Sequence, residues 1–168
     1  MSVTLHTSLG DIKLELACEL APRLCENFLA LAASGSYDGT TFHRVVRGFI
    51  AQAGDPTNSG KGGAVGVGGA PLADEFAPQL LHSERGVLAA ANAGVRDSNG
   101  AQFYVAFAPA PSLDGRCCVI GRVAPTHAAS WATLDALEGV EVAGKRFRPV
   151  RDVTILRCTI HANPLAPT

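Results

Sequence analysis

Short runs in which apolar residues recur at every second position constrain this chain's fold more than any other feature. Val3, Leu5 and Thr7 alternate, Ser8-Leu9-Gly10-Asp11 reads as a turn, and Ile12, Leu14 and Leu16 alternate again. A period of two lines up one face of a strand, so the opening segment predicts a hairpin. Similar runs follow at Val87–Ala91, Gln102–Phe107 and Cys117–Val123, the last preceded by turn residues at Asp114–Arg116. Alternation returns from Val153 to Cys158. Only two segments have helical spacing. In "APRLCENFLALAASG", Pro22 suits a first helical position, Leu24, Phe28 and Leu31 share a face, and Gly35 ends the run. Trp131–Leu137 is the second, with Ser130 or a neighbour as cap and Gly139 as stop. Many short strands and two helices predict a mainly β protein whose antiparallel sheet closes or doubles to hide its edges; pattern alone leaves barrel and sandwich open.

A chain of 168 residues fits one domain. At that length roughly 70% of the unfolded surface can be buried, without a metal or disulfide staple. The residues are 47% apolar and 17% charged, as in a globular core, and the net charge is −1. Such a balance offers no basic footprint, so nucleic acid is not expected as a direct ligand. No apolar run nears the ~20 residues that cross a bilayer, and the opening "MSVTLHTSLGD" has no secretory pattern. The five cysteines (Cys18, Cys25, Cys117, Cys118, Cys158) are odd in number and lack Cys-x-x-Cys spacing. They predict neither disulfides nor a metal site, but small hydrophobes in a reducing compartment, cytoplasmic or nuclear. His6, His82, His127 and His161 show no ligand spacing, and no cofactor is expected. The glycine-rich stretch "GDPTNSGKGGAVGVGGAP" from Gly54 opens no helix after a strand and contains no Gly-Lys-Ser/Thr. It reads as a long loop in which backbone approaches backbone, not as a phosphate cradle. No helix carries a heptad seam, and a monomer is expected.

The stretch "TFHRVVRGFIAQAGD", residues 41–55, sets Arg44 in a strand-like run with Phe42, Val45, Val46, Phe49 and Ile50. A long cation there either snorkels to water or meets something that needs it. Its neighbour His43 would point to the opposite face, into the interior.

Three blocks, "FHRVVRGFIAQAGD" (42–55), "LAAANAGVRDSNGAQFYVAF" (88–107) and "LDGRCCVIGRV" (113–123), resemble the cyclophilin family of peptidyl-prolyl cis/trans isomerases. "TLHTSLGDIKLEL", "CENFLAL" and "TIHANP" are most similar to its short single-domain subtype, peptidyl-prolyl isomerase-like protein three. The resemblance implies a closed eight-stranded antiparallel barrel capped by two helices over residues 1–160, with 161–168 as a tail. It makes Arg44 the catalytic residue. It assigns Phe49, Ile50, Tyr104 and Leu113 to the proline floor, and gives Gln52, Gln102 and the backbone around Ala91 and Asn92 the task of gripping the peptide and holding Arg44. Asp74-Glu75 reads as structural, and Trp131 as core packing.

The sequence departs from the family's pocket at several positions. Ser112 stands where the family carries a tryptophan, Cys117 where it carries a pocket-wall histidine, Tyr104 for a phenylalanine, Ile50 for a methionine and Arg47 for a proline. Losing that tryptophan predicts weak cyclosporin binding and reduced turnover. The implied partners are proline-containing peptides and proteins, spliceosomal proteins among them. Retained Arg44, Gln52, Asn92 and Gln102 favour a working isomerase; Ser112 and Cys117 favour a proline-binding module of a larger complex. A lipocalin-type ligand barrel would need a hollow interior, and the alternating large apolar residues predict a filled one.

Overall fold

The structure, a computed structural model, describes residues 1–63 and 66–161. In chain order the elements are β1 Ser2–Thr7, β2 Gly10–Leu16, α1 Pro22–Ala33, β3 Arg44–Val46, β4 Ile50–Ala53, β5 Val87–Ala90 and β6 Phe103–Ala106. A short 3-10 turn at Pro111–Leu113 follows, then β7 Val119–Val123, α2 Ala128–Glu138, β8 Val142–Ala143, β9 Arg148–Pro149 and β10 Ile155–His161. Eight strands form one antiparallel sheet in the order β10-β1-β2-β7-β5-β6-β4-β3, and β8–β9 pair separately.

The first hairpin and α1 form as their sequence patterns predict. Helix α2 begins earlier than expected, at Ala128, with His127 at its N-cap. Ser130 lies inside its first turn and accepts the Lys13 N–H at 2.7 Å, which docks α2 on β2. His161, expected in the tail, is the last residue of β10 and pairs its Nε2 with Thr4 Oγ1 at 2.8 Å. The rest of the tail, 162–168, lies outside the described residues.

Three features differ from expectation. Residues 41–52 are not one strand: β3 and β4 are joined by a turn in which the Phe49 N–H donates to Val46 O at 2.9 Å. Gly48 takes φ +75° there, a conformation that side chains disfavour. The β8–β9 hairpin gave no signal, since two-residue strands carry no period.

The sheet is also open and curled, not a closed barrel: no ladder joins β3 to β10. β3 has only three residues, and the hairpin covers its outer edge, with the Val45 N–H donating to Phe147 O at 2.9 Å. An edge so short and so covered has little backbone left to pair with β10. The chain just ahead of each strand closes the gap instead. Phe42 N–H donates to Val153 O at 2.9 Å and Ile155 N–H to Thr40 O at 2.8 Å.

The interior is filled. Val3, Leu5, Ile12 and Leu14 from the first hairpin meet Leu24 and Phe28 of α1 and Leu134 and Leu137 of α2 in one cluster. Phe28, Tyr37 and Phe103 pack within it edge-to-face or tilted, with ring centroids 5.2–5.3 Å apart. Removing such a buried ring costs about 3–5 kcal/mol. Strands β5 and β6 turn Leu88, Ala90, Phe103 and Val105 into this cluster. Their alternate residues therefore face outward.

Candidate active site

The outward face is built by register. Arg44 lies opposite Gln52, Gln52 opposite Tyr104, and Tyr104 opposite Ala89, which sets one row across β3, β4, β6 and β5. Residues directly opposite in a sheet share a face, and so do those two positions along. Ile50 and Ala106, paired with each other, therefore join that face. Ile50, Val87, Ala89, Tyr104, Ala106 and Val119 form a second apolar cluster, with Phe49, Ala91, Leu113 and Cys117 packed at its edge. The floor residues named from sequence thus come together, and half-buried Arg44 stands in the same row. Ser112 is exposed in the 3-10 turn beside Leu113.

The glutamines act differently from expectation. Gln52 Nε2 donates to Gln102 Oε1 at 2.8 Å, and Gln102 Nε2 donates to the carbonyls of Gly60 (3.2 Å) and Gly62 (2.6 Å). They clamp the glycine-rich loop and not Arg44, whose backbone pairs with Gln52 in the ladder but whose guanidinium makes no hydrogen bond among the described residues. A recess of about 240 Å³ lies between Gln52, Gly62, Asn92 and Gln102. Asn92 shapes its rim: Nδ2 donates to Arg116 O at 2.7 Å, and Oδ1 accepts the Gly94 N–H at 2.9 Å. The Ala91 N–H is occupied by Gln102 O at 3.0 Å.

Two aspartates that sequence reasoning did not single out hold the walls of this groove. Asp55 is fully buried, and its carboxylate accepts from five donors: the Thr57 N–H and hydroxyl, the Ser59 hydroxyl, and the Gly60 and Gly62 N–H groups. Burial raises its pKa, but those donors, Thr57 first, outweigh it and hold the group near about 2. The loop is therefore folded around a carboxylate, and a Cβ at Gly62 would collide with it.

On the opposite wall Asp114 Oδ1 accepts the His82 N–H at 2.7 Å and meets His82 Nδ1 at 2.8 Å. A carboxylate only accepts, so Nδ1 carries a proton, and in the tautomer with that proton alone Nε2 is an acceptor. The Tyr104 hydroxyl donates to it at 2.6 Å. The His82 N–H first, with its ring, holds the Asp114 carboxyl below the usual carboxylate range. Burial raises the Tyr104 phenol and the Cys117 thiol, so neither is an activated nucleophile. The polar partner that a tyrosine in the floor requires is His82, itself 1% exposed.

The remaining candidates are structural. Glu75 accepts the Leu24 N–H at 2.7 Å, capping α1 where the Ala21 methyl offers no acceptor, and Asp74 accepts from Asn99 Nδ2 at 2.8 Å. Trp131 lies over Gly86 and donates to Ala124 O at 3.2 Å. His43 is buried as expected, but beneath Gly60 of the glycine-rich loop.

Known proteins align with this chain along nearly its whole length. "Peptidyl-prolyl cis-trans isomerase-like 3" of Gallus gallus is 49% identical over 166 residues, 99% of each chain. The Homo sapiens protein of the same name is 48% identical over the same share. Among solved structures, a Cryptosporidium parvum cyclophilin type peptidyl-prolyl cis-trans isomerase, crystallised in the presence of the dipeptide Ala-Pro, superposes with a TM-score of 0.89. It is 37% identical, and the match covers 97% of this chain and all of that one. Residues 2–160 match the family described as "Cyclophilin type peptidyl-prolyl cis-trans isomerase/CLD". The chain belongs to the cyclophilin-type peptidyl-prolyl cis-trans isomerases.

Proposed function

We propose that the outer-face groove isomerises X–Pro bonds in peptides and proteins, with Arg44 as its catalytic donor. Cis and trans X–Pro differ by only ~0.5–1 kcal/mol, yet exchange takes tens of seconds or more because amide resonance sets a barrier of ~18–20 kcal/mol. Catalysis needs neither nucleophile nor metal. It needs a pocket for the proline ring and a donor for the nitrogen, which becomes pyramidal and basic only in the twisted state. Phe49, Ile50, Tyr104 and Leu113 supply the apolar floor, and Cys117 leaves its far side wider than a histidine would. Gln52, Gln102, Ala91 and Asn92 line the flank along which the peptide main chain runs. A guanidinium is planar, always charged and stiff, and so suits a bond made only in the twisted state.

The observation that carries this reading is the register row that sets Arg44, its guanidinium unbonded among the described residues, beside the apolar cluster. NMR exchange spectroscopy on an Ala-Pro peptide tests it. Exchange should be accelerated by the wild-type protein, and Arg44→Ala should lower that acceleration by about 100-fold, the usual scale for losing one preorganised donor. Peptide shifts without accelerated exchange in either protein would assign a proline-binding module.

That second reading draws on exposed Ser112, which leaves the groove without an aromatic wall on one side. For the same reason cyclosporin is expected to bind weakly. The natural ligands on either reading are proline-bearing segments of proteins in the nucleus or cytoplasm, those of the spliceosome included.

A further inference from the structure

Next to the groove, on the Arg44 side, a cavity of about 520 Å³ opens between the glycine-rich loop and the β8–β9 hairpin. Five cations line it: Arg44, Lys61, Lys145, Arg146 and Arg148. They are five of the fourteen lysines and arginines in a chain of net charge −1, gathered at one recess with no carboxylate on its wall. None of the five forms a salt bridge among the described residues. Asp55 is the acid whose charge reaches His43 at the cavity wall, and its oxygens are spent on five internal donors.

His43 adds a second observation. It is 6% exposed, and its Nδ1 has no hydrogen-bond partner. Burial first, then the charges of Arg148 and Arg44, hold its pKa below the ordinary histidine value against the pull of Asp55. Its surroundings therefore disfavour one more positive charge. Like charges held this close repel one another, and an anion in the cavity offsets that repulsion.

The identity of the anion follows from what the cavity shares and lacks. Arg44 and Gln52 line both it and the prolyl groove, so a bound anion sits within side-chain reach of a peptide in the groove. No Phe, Tyr or Trp lines it, and the one ring on its wall, His43, is 6% exposed, whereas single-stranded nucleic acid needs open aromatic faces to stack its bases. Arg44 and Arg146 present planar forks suited to a phosphate, and Arg148, whose Nη1 donates to Asn58 O, keeps its remaining donors; a phosphate carries about −1.5 to −2 charges and three strong acceptor oxygens.

Building on the reading of the groove as a prolyl-peptide site, we infer that this cavity selects peptides bearing a phosphoserine or phosphothreonine close to the proline. The selection is by charge, so it weakens as salt shortens the ~8 Å screening length of physiological ionic strength.

The test uses a set of Ala-based peptides with one proline and a serine at each of the two positions before and after it. Each serine is compared with its phosphoserine and aspartate counterparts. NMR titration gives affinity, and exchange spectroscopy gives turnover, for wild type and for Lys145→Ala/Arg146→Ala, both exposed on the hairpin turn. At least one phosphorylated position should bind about tenfold tighter than its serine twin, with aspartate gaining less. The double variant should lose most of that gain while holding the serine peptide as wild type does. Equal affinity of phosphorylated and plain peptides, or a gain that survives in the double variant, overturns the inference. So does a single-stranded RNA oligomer that binds more tightly than every phosphopeptide, since it reassigns the cavity to nucleic acid. Accelerated exchange without a phosphate gain sinks this inference alone. A phosphate gain without accelerated exchange on any peptide upholds it and sinks the isomerase reading.

Discussion

The two walls of the groove are each organised by an aspartate, but by opposite routes. Asp55 gathers donors no more than seven residues away, so its wall is a local device closed by the loop's own backbone. Asp114 works at long range: it grips His82, 32 residues away, and His82 in turn holds Tyr104 of the floor. Asp55 is fully buried, while the Asp114 side chain is 27% exposed. The local hub should therefore govern stability, and the long-range chain should govern the set of one floor residue.

The largest effect should come from Asp55→Ala. It leaves five donors without their acceptor; a buried orphan costs ~1–3 kcal/mol, and these cost less apiece because Thr57 and Ser59 are exposed and Gly60 and Gly62 half-buried, within reach of water. A net loss of about 3 kcal/mol in urea unfolding is expected, with Asp55→Asn losing about half of that. A loss below about 1 kcal/mol would mean the loop holds its shape without the hub.

On the other wall, His82→Leu strands both the Tyr104 hydroxyl and the Asp114 carboxylate and should cost about 2 kcal/mol. Tyr104→Phe strands only His82 Nε2 and should cost about 1 kcal/mol. Combining the two should cost less than their sum, because both partners are then gone. Strict additivity would show that the hydrogen bond between them is idle.

Acid separates the walls further. The native Asp55 carboxyl sits near about 2 against an ordinary 3.8, so between those values the unfolded chain binds more protons and stability rises with pH. The Asp55 contribution is whole above about pH 4 and lost as pH falls through about 2. Asp55→Asn should flatten this limb of the stability profile, and an unchanged limb would assign it to other carboxylates. The smallest effect concerns ligand and not fold. Ser112→Trp restores an aromatic face next to Leu113 and should raise cyclosporin affinity by up to about tenfold, readable by calorimetry.

The same contrast explains what was legible in the sequence. The first hairpin and α1 follow from periods of two and 3.6 that short windows display, whereas the pattern around Arg44 leaves open whether it snorkels to water or meets a partner. The floor residues Phe49, Ile50, Tyr104 and Leu113 and the wall residue Cys117 were reached through resemblance, and the register that sets Ile50 and Tyr104 on one face is a property of paired strands, visible in no single one. The Asp55 hub left a readable trace: an aspartate followed by Pro-Thr-Asn-Ser-Gly is the composition of an Asx-type turn. His82 left none, since nothing in "LHSERG" says that its ring will meet a hydroxyl on another strand. The open sheet was likewise hidden, because closure depends on how three residues of β3 divide their backbone between β4 and a hairpin almost a hundred residues later.

The central claim is that Arg44 works as a rigid, planar donor above the apolar floor, and Arg44→Lys tests it most directly. Lysine keeps the charge but loses the fork and its stiffness. With an Ala-Pro peptide, the account predicts affinity within about threefold of wild type and exchange slowed by about 100-fold. Exchange at the wild-type rate in the lysine variant would contradict it, and would leave the groove's shape, or charge alone, as the source of any acceleration.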